Sequence, residues 1–287
     1  MKQSLQAAVQ YLLNHKHYFA VPAGAESNED IKPFVELVFL YNMFPHVVRA
    51  QADWQVMKAY ILSQLDEHDF AQKVRKNIAA IAGVAVLEEF LLLEGASRYN
   101  DVLTELVTAD DGIGRGRTPF RIMDTKYSLQ QAAIVDTLPS YEVIYADTVL
   151  GKGLSSYYLS PMAMYSITHT IFYLTAMGRS TAYLHLLTDK KQLLINLITE
   201  HIARGDLDIL GEVLLCCFFV RLDTDPDVRP LIVYAVNYMI SQQLDDGAFP
   251  APIESQKKMS EEAKFRLRYH TTLVCIGALI CYMEKIS

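Results

Sequence analysis

The sequence predicts an all-α protein whose helices pair into hairpins and close into an α/α toroid, a single domain over residues 1–287. Three observations predict it. Apolar residues recur three and four positions apart almost throughout, as in Leu5, Val9, Leu12 and Leu13, which gathers them on one face of a helix. Period-two alternation bounded by turn residues is hardly seen, so strands are not expected. More apolar and more polar helices alternate, and six outer and inner pairs of about 48 residues each make a helical repeat that closes on itself.

Breaks at Gly, Pro and Asn or Asp clusters divide the chain into about twelve helices, beginning near residues 2, 30, 47, 68, 97, 123, 139, 160, 188, 206, 226 and 260. The first is the amphipathic run from Leu5 to Leu13. The second holds the apolar stretch Ile31–Phe44, and the fourth holds Ile78–Leu93, interrupted by Glu88 and Glu89. The third, fifth, sixth and seventh rest on their bounding breaks. Tyr165–Met177 lies in the eighth, Asp206–Val220 forms the tenth with Asp206 as its N-cap, and Tyr269–Met283 lies in the twelfth. These stretches are apolar on every side and belong inside; Lys190–Arg204 and Val228–Gln243 carry a polar stripe and belong outside, facing water.

Composition excludes several functions. With 51% hydrophobic and 21% charged residues the chain is globular. Its most apolar stretch is broken by two glutamates, so no membrane span is expected. Polar residues from Gln6 to His17 interrupt any signal-peptide core, which points to the cytoplasm. Cys216, Cys217, Cys275 and Cys281 sit in apolar helices without C-x-x-C spacing and read as core thiols of a reducing compartment. A net charge of -7 argues against nucleic acid as a partner, because phosphate binding needs clustered positive charge. The basic clusters at 115–121 and 257–268 are too small or too mixed with acids to reverse this.

The chemistry-bearing residues fall on the predicted inner helices. Asp124, His169, Asp208 and His270 are each expected near an inner-helix N-terminus, facing one mouth of the lumen. His169, Asp208 and His270 make a ligand set for Zn²⁺ or Fe²⁺ with positions left for water or substrate. Glu212, one turn beyond Asp208, is a further ligand or an acid/base, and Asp124 a second catalytic carboxylate. The competing reading is structural: hydrogen-bonded core histidines, and carboxylates that cap helices. Lys126 and Tyr127 are candidates to line the lumen. The loop from Asp110 to Arg117 offers two arginines for an anion, but it follows a helix, so no dinucleotide fingerprint applies. Asp223-Thr224-Asp225-Pro226-Asp227 is a turn. No Gly-x-Ser-x-Gly elbow or Walker loop occurs, and Cys216-Cys217 is too apolar in context for a nucleophile.

Four segments carry a resemblance. Tyr238-Met239-Ile240-Ser241-Gln242-Gln243-Leu244-Asp245-Asp246-Gly247-Ala248-Phe249 resembles the QW motif of triterpene cyclases, in which Gln fastens backbone groups of the next loop and an aromatic ring packs across the hairpin. The stretch from Tyr269-His270-Thr271-Thr272 to Leu279 is similar to the inner helix of protein prenyltransferase β subunits that supplies a zinc-binding histidine. The position comparable to that family's Asp-x-Cys reads Asp206-Leu207-Asp208; without the thiolate, protein prenylation is not implied. Arg121-Ile122-Met123-Asp124, Thr168-His169-Thr170-Ile171-Phe172-Tyr173-Leu174 and Tyr269-His270-Thr271-Thr272 also resemble an uncharacterised group of bacterial helical proteins, some encoded near natural-product genes.

Three functions follow as expectations. The first is a metal-dependent enzyme acting on a small-molecule or peptide-like metabolite in the lumen. The second is a metal-free cyclase or transferase in which His169 or His270 is the acid/base and Asp208 orients it. The third is a non-catalytic scaffold or binding protein.

Overall fold

A computed structural model describes residues 1–22, 24, 27–49, 51–109, 113–153, 160–252 and 259–286. Among them are fourteen α-helices and no strand: α1 Lys2–Asn14, α2 Asn28–Met43, α3 Pro45–Arg49, α4 Ala52–Glu67, α5 Phe70–Lys76, α6 Ile81–Leu93, α7 Asn100–Ala109, α8 Pro119–Gln131, α9 Tyr141–Asp147, α10 Pro161–Leu174, α11 Lys191–Arg204, α12 Leu207–Phe219, α13 Arg229–Ser241 and α14 Glu261–Lys285. The all-helical expectation stands. No helix among the described residues is long and apolar enough to cross a membrane. The helices gather into two compact units, one of residues 19–147 and one of residues 1–18 with 148–287.

In the unit of residues 19–147, α6 packs against α2 and α8. A capping box starts α2: Ser27 Oγ accepts from the Asp30 amide and the Asp30 carboxylate accepts from the Ser27 amide, both at 3.2 Å. The two glutamates that interrupt α6 are buried and bonded. Glu88 accepts from the amides of Arg98 at 3.0 Å and Tyr99 at 2.8 Å, satisfying orphan donors just ahead of α7. Glu89 accepts from Asn42 Nδ2 at 3.1 Å. The sequence merges α5 and α6 because a single residue, Asn77, separates α5 from the short 3₁₀ turn Ile78–Ala80, its side chain accepting from the Ala79 amide.

The other unit is built around α12, whose residues are all buried, with α10, α11, α13 and α14 packed against it. An all-round apolar helix needs such a jacket, since each fully buried Leu, Val or Phe contributes about 1.5–3 kcal/mol. Its neighbours are amphipathic as expected: α11 buries Leu194, Leu197, Ile198 and His201, and α13 buries Ile232, Ala235, Val236 and Met239. Gly205, at φ 68°, ends α11, and Asp206 begins α12 by accepting from the Ile209 amide at 3.3 Å. Asp223 to Asp227 form the expected turn, with a 3₁₀ segment at Leu222–Thr224.

Two glycines set the spacing in this unit. A Cβ on Gly211 would stand 2.7 Å from Val274 Cγ1, so its absence lets α12 and α14 approach closely. Gly247, at φ +92°, lies where a Cβ would meet the Ala7 carbonyl oxygen at 2.4 Å. Gln243 fastens the same place: its Nε2 donates to the carbonyls of Ser4 at 2.9 Å and Gly247 at 2.8 Å, and its Oε1 accepts from Ser4 Oγ. Phe249 is fully buried, and its amide donates to Thr272 Oγ1 at 3.1 Å. Gln243 thus ties the loop beyond α13 to α1.

Candidate active site

Helical spacing creates the site. Positions three and four apart share a face, so α10 presents Tyr165, Thr168 and His169 together and α12 presents Asp208 and Glu212. The two faces meet in register. Tyr165 Oη donates to Asp208 Oδ2 at 2.6 Å, and one turn on Thr168 Oγ1 donates to Glu212 Oε2, with His169 Nδ1 at 3.6 Å from the same oxygen. From α14, admitted by Gly211, His270 Nε2 stands 3.6 Å from both Asp208 Oδ1 and Glu212 Oε1, and Thr271 Oγ1 donates to Asp208 Oδ1 at 3.2 Å.

Burial divides these groups into two levels. The carboxyl side chains lie inside, 1% exposed for Glu212 and 8% for Asp208, whereas the imidazoles of His169 and His270 are 22% and 28% exposed. Aromatic rings flank His169: Phe172 with centroids 5.5 Å apart, and Tyr165 and Tyr173 at 6.0 Å. The imidazoles can therefore meet a solute while the carboxyls behind them orient them.

The two carboxyls are pushed in opposite directions. Burial is the largest influence on Asp208 and raises it; Glu212 adds to the rise, and His270 and the Tyr165 hydroxyl offset it only in part. Burial also presses Glu212 upwards, but His169, His270 and Thr168 outweigh it and hold that carboxyl below the ordinary glutamate value. Tyr165 is driven far up by burial and then by Asp208, so its phenol remains a neutral donor. Carboxyls whose environments separate them in this way are suited to different roles in proton transfer.

The structure thus brings together four of the expected residues, His169, Asp208, Glu212 and His270, but not through the expected placement. Only Asp208 lies in a first helical turn. His169 and His270 are mid-helix, because Ser160 and Ser260 cap α10 and α14 well upstream, each side chain accepting from an amide at 3.2 Å. Both helices begin where the sequence breaks near 160 and 260 put them; the expected placement took the start of each apolar stretch for the start of its helix. Asp124 lies mid-helix on α8 in the other unit, where Arg121 pairs with it at 3.4 Å. There too, Tyr127 is buried and Lys126 forms a pair with Asp136 at 2.8 Å.

Among the described residues no group of three or more His, Cys, Asp or Glu is arranged to hold a metal ion. Asp110, Asp111 and Gly112 of the candidate anion loop lie outside the described residues, as do Lys257 and Lys258; Arg117 donates to Thr125 Oγ1 at 3.2 Å and the Ile78 carbonyl at 3.1 Å. Cys216 and Cys217 are fully buried, and burial raises both thiols, in keeping with a core role. Sequence reasoning missed Tyr165, Thr168 and Thr271 as members of the site. The signal was present: Tyr165 and His169 are spaced as Asp208 and Glu212 are.

No curated protein and no solved structure matches the chain, so nothing in these comparisons links it to triterpene cyclases or prenyltransferases. One family profile does match, over residues 5–280, nearly the whole length. The chain belongs to that family, described as a domain of unknown function, DUF6895.

Proposed function

We infer that the protein is an acid–base enzyme acting without a resident metal on a small-molecule or peptide-like metabolite. One observation carries this reading: the buried Glu212 carboxyl faces two partly exposed imidazoles, with His169 Nδ1 and His270 Nε2 each 3.6 Å from one of its oxygens. A carboxylate behind an imidazole fixes the orientation of the ring, and two such imidazoles can serve as a proton donor and a proton acceptor. Asp208 Oδ1 faces the same His270 nitrogen, Nε2, at 3.6 Å and helps to orient that ring. Reactions within reach are those whose bond changes follow proton transfer: isomerisation, elimination, cyclisation or group transfer.

Each carboxyl already accepts hydroxyl bonds, Asp208 from Tyr165 and Thr271 and Glu212 from Thr168, which suits fixed proton carriers. The metal-dependent reading uses His169, Asp208 and His270 as ligands of Zn²⁺ or Fe²⁺ and is decided by the same experiment. The four free cysteines suit a reducing, cytoplasmic setting. The alternation of buried and amphipathic helices suits an α/α toroid, and small-angle scattering checks that arrangement.

The test incubates untagged protein with a cell extract of small metabolites in D₂O and reads the mixture by mass spectrometry. The expected result is a product or a deuterium-labelled species formed by the parent, lost with Glu212→Gln and with His270→Asn, from protein that elemental analysis shows to be metal-free. One equivalent of Zn or Fe in the parent, lost with His270→Asn, replaces this reading with the metal-dependent one. An extract unchanged by the parent sinks it in favour of a non-catalytic binding protein.

A further inference from the structure

We propose that Tyr165 serves this site as a positioning residue, holding Asp208 by one oxygen so that the other faces His270. The proposal rests on the acid–base reading for its catalytic meaning, and on the registry of three helices for its geometry.

The face of α10 carries Tyr165 and His169 four residues apart, and the face of α12 carries Asp208 and Glu212 at the same interval. Two rungs result. On the first, Tyr165 Oη donates to Asp208 Oδ2 at 2.6 Å; on the second, His169 Nδ1 faces Glu212 Oε2 at 3.6 Å. His270 spans both rungs from α14, equidistant at 3.6 Å from Asp208 Oδ1 and Glu212 Oε1. The two histidines are consequently unlike each other: His169 faces one carboxyl and His270 faces two.

Asp208 is gripped at both oxygens, by Thr271 Oγ1 on Oδ1 at 3.2 Å and by Tyr165 Oη on Oδ2 at 2.6 Å, and Tyr165 makes the shorter bond. A carboxyl has two oxygens and a rotatable bond to Cβ, so a donor fixed on Oδ2 fixes where Oδ1 lies. Phenylalanine has the same ring and packing without that bond. A buried tyrosine hydroxyl usually takes a hydrogen-bond partner, and here that partner is one of the two carboxyls of the site, at 2.6 Å.

The experiment records the imidazole ¹⁵N signals of the full-length protein at one fixed pH, with His270 assigned by the signal lost in His270→Asn. In Tyr165→Phe the His270 signal moves, and it moves no further when the same change is made in Asp208→Asn. A His270 signal that stays in place in folded Tyr165→Phe overturns the proposal, as does an equal movement with and without the Asp208 carboxylate. Where Tyr165→Phe does not fold, the parent supplies the reading: a slowly exchanging downfield hydroxyl proton that disappears in Asp208→Asn supports the bond, and its absence from the parent overturns it. Failure of either kind leaves the D₂O experiment untouched, because that depends on Glu212 and His270 alone.

Discussion

Glu212 and Asp208 lie one turn apart on α12, share His270 at 3.6 Å, and have proton affinities shifted in opposite senses. Their contributions to stability must then respond to pH with opposite sign. The folded Glu212 carboxyl is held below its unfolded value of about 4.3, so its contribution is present above that pH and is lost as the pH falls through the lower folded value. The folded Asp208 acid lies above its unfolded value of about 3.9, so its contribution is present at lower pH and is lost as the pH rises from there towards the folded value. Urea unfolding of Glu212→Gln should show a loss of about 1–3 kcal/mol at pH 7, from buried partners left poorly bonded, that shrinks at pH 3.5. Asp208→Asn should be better tolerated at pH 7 than at pH 3.5. Parallel pH profiles for the two variants would contradict the opposed shifts.

Gly211 controls whether α14 reaches those carboxyls. Alanine there places a methyl 2.7 Å from Val274 Cγ1, a stiff β-branched side chain that cannot swing aside cheaply. Gly211→Ala is expected to destabilise the protein by about 1–3 kcal/mol, the usual cost of overpacking, despite the better helix propensity of alanine. Val274→Ala in the same chain should recover most of the loss, and thermal unfolding of the single and double variants checks it. Independent, additive effects would show that the two helices do not meet there.

Much of this arrangement was legible in the sequence, for physical reasons that differ by residue. α12 is apolar at nearly every position, so its burial follows from composition alone, and the polar stripes of α11 and α13 place them outside it. The break at Asn77 was not legible, because one side-chain cap on one residue leaves no Gly or Pro signal. His169, Asp208, Glu212 and His270 were visible as ionisable residues in apolar surroundings. A shared helix start does not describe them: α10 and α14 begin near 160 and 260 as their breaks indicate, and His169 and His270 lie well inside, where the apolar stretches begin rather than the helices. Tyr165 escaped because a tyrosine on an apolar helix reads as core until Asp208 is seen opposite it.

Gln243 and Gly247 tie α1 to the loop beyond α13, and each fails in a distinct way when replaced. Gln243→Ala removes three hydrogen bonds, to Ser4 Oγ, the Ser4 carbonyl and the Gly247 carbonyl. Its expected cost is about 1–3 kcal/mol, from partners left without their bonds. Gly247→Ala adds backbone strain at φ +92° to a contact of 2.4 Å with the Ala7 carbonyl, an atom that cannot rotate away. It should cost more than Gln243→Ala, at least about 3 kcal/mol. Amide exchange in α1 should quicken in both variants, with the ranking reversed only if Gly247 does not approach α1 so closely.

Thiol reactivity gives a simple check on the core. All four cysteines are free and buried, and burial is the largest influence raising each thiol, Cys281 to about 12. The thiolate is the reactive form, so both its scarcity and its inaccessibility should protect the folded protein. A chromogenic disulfide reagent at pH 8 should therefore find almost no reactive thiol in native protein and four after denaturation in guanidinium. The rate of the slow native reaction should follow global unfolding, and Gly211→Ala should accelerate it, because Cys275 sits where α14 meets α12. A thiol that reacts within seconds in the native protein would mean that one of these helices opens without the rest.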